Sequence, residues 1–459
     1  MASTPFLFVF SLSILIFPCV FSSDDVNDVK SLVKPVFSTK TPYFWVNDEN
    51  EEIEEDEETV VDFEGKSCQV IFISTLLRHG ARYSGLKWMK KITDVRELLI
   101  KTLDPSSEIY PFLEKWANPF QEKEEKQLSE LGEDEQYELG KRFGERFKLL
   151  FSNDIENVKF VSSSKQRTKA SAVEFHEGLI DSVGGDETPV NLIIDDIKLR
   201  FHDNCNKYTT TVDKNVSTLV EYKKFKNGPE MANVAKEISK KLGIDKVLTA
   251  DEINSIFQQC AFEVQLLNTS DWCHLLNEDH FRVIEYLNDL KQYWKKAYGH
   301  NITAKMSCPL VRHMFKEVDK AIHMSDEGDD HTVGVFHFGH AETIAPLYAA
   351  LELFNDSQPL KANNFEFHKD RLFKSSKIMP FSANFAMAVY ECDEDPDNND
   401  ENDLYVIKFF VNEKQVIIPA CDSFVCPYKS VRDYYSDKID KCHFEDLCST
   451  EKPAAHDEL

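Results

Sequence analysis

Between residues 205 and 323 nearly every stretch carries helical patterning, while on both sides short apolar runs alternate with helical ones. That interruption constrains the fold more than any other feature of the chain. Strand–helix alternation predicts an α/β sheet with helices on both faces. A helix-only block inside such a pattern is an insertion, expected as a cap on the sheet. Before it, strands are predicted at 70–74 and 159–163, with a short further strand at 191–195. Helices are predicted over 87–103 and 167–180. An amphipathic helix over 127–150 places Leu128, Leu131, Tyr137, Leu139, Phe143 and Phe147 at roughly helical spacing. After it, an apolar run at 332–338 leads into a helix over 342–354, and 385–391 and 404–412 alternate like strands of an antiparallel or edge region. Inside the block, helices are predicted over 232–242, 250–267, 279–298 and 309–324.

The two ends carry targeting patterns. Residues 6–20 are almost wholly apolar and small residues follow at Ser22 and Ser23, which reads as a secretory signal peptide. The run is short for a membrane anchor, and no other segment has an uninterrupted apolar run of membrane length. The chain ends on His456-Asp457-Glu458-Leu459, the HDEL form of the ER-retrieval signal. Together the ends predict residence in the endoplasmic reticulum lumen, with some secretion, no membrane span, and a retrieval receptor as one partner. Eleven cysteines less Cys19 leave ten, an even number that suits disulfides in an oxidising compartment. Sequons begin at Asn215, Asn268, Asn301 and Asn355, so a glycoprotein is expected. No Cys/His cluster has zinc spacing.

In open α/β sheets, ligands bind beyond the carboxyl ends of the strands. Three such ends carry unusual polar residues. The first is Arg78-His79-Gly80-Ala81-Arg82, a histidine between two permanent cations. Imidazole attacks phosphorus well, and arginine grips phosphate oxygens with a planar fork. Gly80 is read as letting the backbone come close to a ligand. The second is Lys165-Gln166-Arg167-Thr168, which puts Arg167 at a helix N-terminus, where an arginine is unfavourable unless an anion offsets it. The third is Phe338-Gly339-His340-Ala341-Glu342, offering His340 as a cationic clamp and Glu342 as a proton donor. Together they supply a nucleophile, three arginines, a second histidine and a carboxyl, the equipment for phosphoryl transfer. No metal-ligand cluster or Walker-type glycine loop accompanies them, so the arginines are expected to do what Mg²⁺ does elsewhere, with no metal and no cofactor.

These motifs carry a resemblance. Arg78-His79-Gly80-Ala81-Arg82 resembles the RHGxR signature of the histidine phosphatase superfamily, acid phosphatase branch. With Tyr83 following, and with His340-Ala341-Glu342 where ordinary acid phosphatases carry His-Asp, the chain looks like the multiple inositol polyphosphate phosphatases. The stretches 38–43, Arg167 to Ala172, 200–205 and 289–294 agree, so the resemblance covers roughly 38–435. It implies a phosphoglycerate-mutase-like α/β sheet domain with helices on both faces plus an inserted helical cap domain. It further implies that His79 is the nucleophile that becomes phosphohistidine. Arg78, Arg82, Arg167 and His340 would bind the phosphoryl group. Glu342 would protonate the leaving inositol oxygen and later activate water. Ser84 stands where the family usually has proline. The implied disulfides are Cys68–Cys392, Cys260–Cys273 and Cys421–Cys426, with Cys205 reaching Cys442 or Cys448. The expected layout is a signal peptide over 1–22 and an acidic N-terminal arm over 23–66. The α/β catalytic domain follows from 67–204 and 325–435, the helical cap domain from 205–324, and a tail over 436–459.

The net charge of −27 argues against nucleic acid and, at first sight, against acidic substrates. The charge is uneven, however. Dense acidic runs at 49–58 and 393–403 read as solvated loops. No acid lies between Arg78 and Lys91, or between Lys159 and Lys169. A local cationic bowl is therefore expected, with distant acidic loops screened over about 8 Å. Lys87, Lys90, Lys91, Lys165 and Lys169 are secondary substrate-contact candidates, with solvated surface lysines as the alternative. The expected function is metal-independent hydrolysis of phosphomonoesters of inositol polyphosphates. The alternatives are a broad-specificity acid phosphatase, a 2,3-bisphosphoglycerate phosphatase, or an inactive lumenal protein that binds calcium through its acidic runs.

Overall fold

Both faces of one strand are apolar, and the sheet is built around it. The computed structural model describes residues 37–46, 58–185, 189–267, 269–328, 332–393 and 404–450. The expected signal segment, the acidic runs at 49–57 and 394–403, the Asn268 sequon and the expected retrieval tetrapeptide lie outside these residues. The strand expected at 70–74 is longer and runs straight into the arginine–histidine motif. Among the described residues nine strands form one sheet. They are β1 (Val60–Phe63), β2 (Lys66–Arg78), β3 (Val158–Ser162), β4 (Leu192–Ile194), β5 (Gly334–Gly339), β6 (Asn384–Cys392), β7 (Tyr405–Val411), β8 (Lys414–Gln415) and β9 (Val425–Pro427). The order is β4-β3-β5-β2-β6-β7-β8, with β1 on β2 and β9 on β7. β4, β3, β5 and β2 are parallel. From β6 onward the pairing is antiparallel. β6 and β7 are antiparallel as expected, but neither is an edge: both are buried almost throughout.

Six helices matter for the site: α1 (Leu86–Thr102), α2 (Glu130–Arg146), α3 (Gln166–Val183), α4 (Glu278–Lys296), α5 (Cys308–Glu327) and α6 (Ala341–Ala350). Along β2, Ile73 and Leu77 point into one cluster with Leu139 and Phe143 of α2 and Phe175 of α3. Phe72 and Leu76 point the other way, into a cluster shared with Phe257 and Tyr286 of the helical block. A strand buried on both faces has a continuous apolar run, which is why 70–73 reads as it does. The helical block thus has no separate core, and α5, its last helix, packs directly on β2. The helix expected over 127–150 breaks at Phe147 (φ −115°, ψ 39°), and a second helix, Lys148–Asp154, follows.

Residues of the expected acidic arm take part in the fold. Phe37 and Tyr43 are buried, and β1 pairs with β2. Glu58, expected in a solvated loop, is instead buried and paired with Lys408. Five disulfides close the structure: Cys68–Cys392, Cys205–Cys448, Cys260–Cys273, Cys308–Cys442 and Cys421–Cys426. Cys205 takes Cys448 of its two candidates, and Cys308–Cys442 is a pairing the resemblance did not supply. No helix among the described residues is long and apolar enough to cross a membrane.

Candidate active site

Because β2 and β3 both flank β5 in parallel, their carboxyl ends lie side by side. Arg78 is opposite Gly339, and Ser162 is opposite Phe338. His79 N–H donates to the Gly339 carbonyl (3.1 Å), and Ser163 N–H donates to the Phe338 carbonyl (3.2 Å). The three segments singled out in the sequence therefore converge at one point.

The first segment is pinned on every side. Arg78 N–H donates to Ala383 O, and His79 O accepts from Ser382 N–H. The Arg78 carbonyl accepts from Gln136 Nε2 (3.1 Å), Gly80 N–H donates to Ser171 Oγ (3.1 Å), and Ala81 N–H donates to Glu135 Oε2 (2.8 Å). The same Glu135 carboxylate accepts from Tyr43 N–H and Ser382 Oγ, tying the N-terminal segment to the motif. Gly80 corrects its sequence-based reading. A Cβ there would lie 2.2 Å from Gly132 O, and one on Gly132 would lie 2.1 Å from Ala81 O. The glycine admits the first turn of α2, rather than a ligand.

His79 and His340 are each 3% exposed, with ring centroids 5.6 Å apart. His79 Nδ1 lies 2.8 Å from the Gly80 carbonyl, which can only accept. The proton is thus on Nδ1, and Nε2 carries the lone pair. Burial, with Arg167, Arg78 and His340 beside it, holds the His79 imidazole neutral to well below its usual range. His340 has the opposite tautomer. Arg167 Nη2 donates to its Nδ1 (3.2 Å), so Nε2–H donates to Ser163 Oγ (2.9 Å). Burial and Arg167 push its titration well down too. His340 thus orients Arg167 through Nδ1 and is itself fixed by Ser163.

The arginines are held with hydrogen-bonding capacity to spare. Arg78 Nη1 donates to the Thr39 and Met379 carbonyls (2.6 and 2.8 Å), and its guanidinium stacks on Phe381 at 4.4 Å. Arg78 Nε and Arg167 Nε are buried and bond to nothing among the described residues. Buried donors are nearly always satisfied, so these two guanidinium groups beside His79 keep donors in hand for an anion. Burial and mutual repulsion lower Arg78 to about 9 and Arg82 to about 10, so both stay protonated at neutral pH.

Glu342 lies in the first turn of α6, its side chain 40% exposed, and its Oε1 accepts from Lys296 Nζ at 2.7 Å. Burial works to raise its pKa, but Lys296, His202 and His340 overcome that and hold it well below the usual carboxylate range.

The secondary lysines divide. Lys87 is exposed but close enough for its charge to depress Lys291. Lys90 is engaged with Asp94 (2.8 Å), and Lys91 lies over Trp88 at 4.7 Å. Lys165 caps α3 and Lys169 is exposed on it. The cations that crowd the arginines come from elsewhere: Lys40 from the N-terminal segment, and Lys291 and Lys296 from α4. Burial, then Arg82, Lys291, Arg78 and Lys296, drive Lys40 well below its usual value, and partial burial with Lys296 lowers Lys291, which still reaches solvent. Sequence reasoning passed over these three, and His202, as site residues. Three of the four fall inside the stretches that carry the resemblance, but no local pattern marks them. Among the described residues no group of three or more His, Cys, Asp or Glu side chains could hold a metal ion.

The comparisons with known proteins give the family and the fold. The family model described as histidine phosphatase superfamily (branch 2) matches residues 69–412. The chain is 32% identical over 391 residues to multiple inositol polyphosphate phosphatase 1 of Gallus gallus, covering 84% of this chain and 86% of the relative. It is 30% identical over 446 residues to the Homo sapiens protein of that name, covering 92% and 90%. Among solved structures it is similar to the Bifidobacterium longum multiple inositol polyphosphate phosphatase in complex with inositol hexasulfate. That match has a TM-score of 0.69 at 16% identity and covers 88% of this chain and 98% of that one.

Proposed function

We propose, since the chain belongs to branch 2 of the histidine phosphatase superfamily, that it hydrolyses phosphomonoesters of inositol polyphosphates, inositol hexakisphosphate included. The reaction runs through a phosphohistidine on His79. The phosphoryl group sits between Arg78, Arg82 and Arg167, whose charge offsets that of its oxygens, so no metal ion is required. His79 Nε2 attacks phosphorus. The bond to the leaving oxygen breaks, and that oxygen takes the proton of Glu342. Glu342, now a carboxylate, accepts a proton from water. The water oxygen attacks phosphorus, and the P–N bond electrons return to Nε2. One observation carries this reading: a neutral His79, its Nδ1 proton committed to Gly80, beside two unpartnered buried Nε–H donors.

The polyphosphate preference is supported by Lys40, Lys291 and Lys296. One phosphate is served by the arginines alone, while six cations suit a ligand bearing several. The named activity of the Gallus gallus and Homo sapiens relatives supports the same substrate class. The test is phosphate release from inositol hexakisphosphate by pure protein in excess chelator, with His79→Ala alongside. Release by the wild type, absent in the variant, is expected. Activity on simple monoesters with none on inositol hexakisphosphate would overturn the substrate class.

The compartment proposed is the lumen of the endoplasmic reticulum. The terminal patterns at 1–22 and at His456-Asp457-Glu458-Leu459 support it. So do five disulfides, which persist in oxidising compartments. Immunolocalisation with and without the last four residues tests it: secretion on truncation is the expected result, and unchanged retention would count against retrieval.

A further inference from the structure

The proton donor of the proposed mechanism is engaged by a lysine. Glu342 lies at the N-terminus of α6, where the helix dipole favours a carboxylate. Lys296, the last residue of α4, donates to its Oε1 at 2.7 Å and is itself only 18% exposed. The charged and titratable groups around Glu342 come from every neighbouring element. They are Lys296 and Lys291 of α4, His202 and Tyr208 of the segment after β4, Arg167 of α3, Arg78 and Arg82 of the motif, and His340 of its own strand end. Nearly all of them favour the ionised form. Lys295, next along α4, is occupied by Asp213 at 2.7 Å and cannot take over.

We infer that Lys296 is a substrate-responsive brake on Glu342. It holds the carboxylate in the free enzyme and in complexes with single-phosphate esters, and it moves to a second phosphate when a polyphosphate binds. A phosphate carries about −1.5 to −2 charges at neutral pH against −1 for the carboxylate, so it competes for the ammonium. Once Lys296 leaves, Glu342 can hold a proton and pass it to the leaving oxygen. Lys296 is thus a positioning residue that makes full acid catalysis depend on a neighbouring phosphate. This rests on the phosphohistidine reading, and on Glu342 as the acid.

The test is the pH dependence of kcat on two substrates with poor leaving groups, glycerol 2-phosphate and inositol hexakisphosphate. Wild type, Lys296→Met, Lys296→Gln and Lys296→Arg are compared. In the wild type the basic limb should lie at higher pH on inositol hexakisphosphate than on glycerol 2-phosphate. Lys296→Met and Lys296→Gln should move the glycerol 2-phosphate limb upward by about one unit, about a tenfold gain in rate above the old limb. They should also raise KM for inositol hexakisphosphate severalfold, and Lys296→Arg should restore both properties. Coincident wild-type limbs on the two substrates, or a glycerol 2-phosphate limb unmoved in the variants, would overturn the inference. The first of these needs no variant to fold. If the wild type ignores inositol hexakisphosphate altogether, the substrate class falls. The glycerol 2-phosphate limb then decides the brake separately, and it must rise in Lys296→Met for the brake to stand.

Discussion

The single proton on His79 Nδ1 decides which end of the ring attacks. Because that proton is committed to the Gly80 carbonyl, the reactive Nε2 is free whenever the imidazole is neutral. Burial and the nearby arginines depress its pKa, so the neutral form survives into acid. The profile of kcat/KM, which reports the free enzyme, should therefore show no enzyme limb near 6.5 and should stay high at pH 5. A limb at the ordinary imidazole value would mean the ring is not held as described. Ser163 acts one bond further out, accepting from His340 Nε2. Ser163→Ala leaves that buried donor unpaired, a loss of about 1–3 kcal/mol. It also frees His340 to turn away from Arg167. A lower melting temperature together with reduced kcat/KM is expected, and unchanged kinetics would deny the link. At this scale the sequence was legible where chemistry is local. Arg78, His79, Arg82, Arg167, His340 and Glu342 sit in short motifs at strand ends. Lys40, Lys291 and Lys296 do not, because they reach the site from segments about 250 residues apart whose proximity only the fold creates.

Among the elements, α2 does the least visible work. Its apolar spacing was readable in Leu139 and Phe143, which pack in the core. The residues that serve the site are on the same helix but break the apolar pattern: Gly132, Glu135 and Gln136 are all buried in its first two turns. Glu135 and Gln136 anchor Ala81 and Arg78, and a buried carboxylate in an amphipathic pattern reads simply as surface. Gly132 lets the helix lie against the motif. Gly132→Ala would place a methyl group 2.1 Å from the Ala81 carbonyl, backbone against backbone, with no side chain to yield. The strap carrying His79 must shift, and a displacement of about 1 Å can lower the rate about 10²-fold. A folded protein with normal circular dichroism and at least tenfold lower kcat is the expected outcome. Full activity would show that the helix can retreat without moving the nucleophile. The same reasoning explains why the 127–150 pattern merged two helices: Phe143 and Phe147 continue the apolar stripe through a break in the backbone, and side-chain periodicity does not register a change of φ and ψ.

For the molecule as a whole, charge and topology pull in opposite directions. The chain carries −27, yet six cations gather around the carboxyl ends of β2, β3 and β5: Arg78, Arg82 and Arg167 from the sheet side, Lys40 from the N-terminal segment, Lys291 and Lys296 from α4. The depressed titrations of Lys40, Arg78, Arg82 and Lys291 all include repulsion from others of the set. These cations therefore repel one another where the sheet, the N-terminal segment and α4 meet. A polyanion that cannot be hydrolysed should relieve this repulsion and stabilise the fold by mass action, about 2.7 kcal/mol at a hundredfold excess over Kd. Inositol hexasulfate is the suitable probe, with inorganic sulfate at equal total sulfate as the control. The melting temperature should rise by several degrees with the hexasulfate and far less with sulfate, because only the former spans cations from the cap and the sheet together. At 1 M salt, where the screening length falls to about 3 Å, attraction between the cations and the more distant sulfates of one ligand is screened, so the difference between the two probes should narrow. Equal shifts from hexasulfate and sulfate at low salt would mean the six cations act as separate single-anion sites, and the bowl inferred from the acid-free stretches would lose its physical basis.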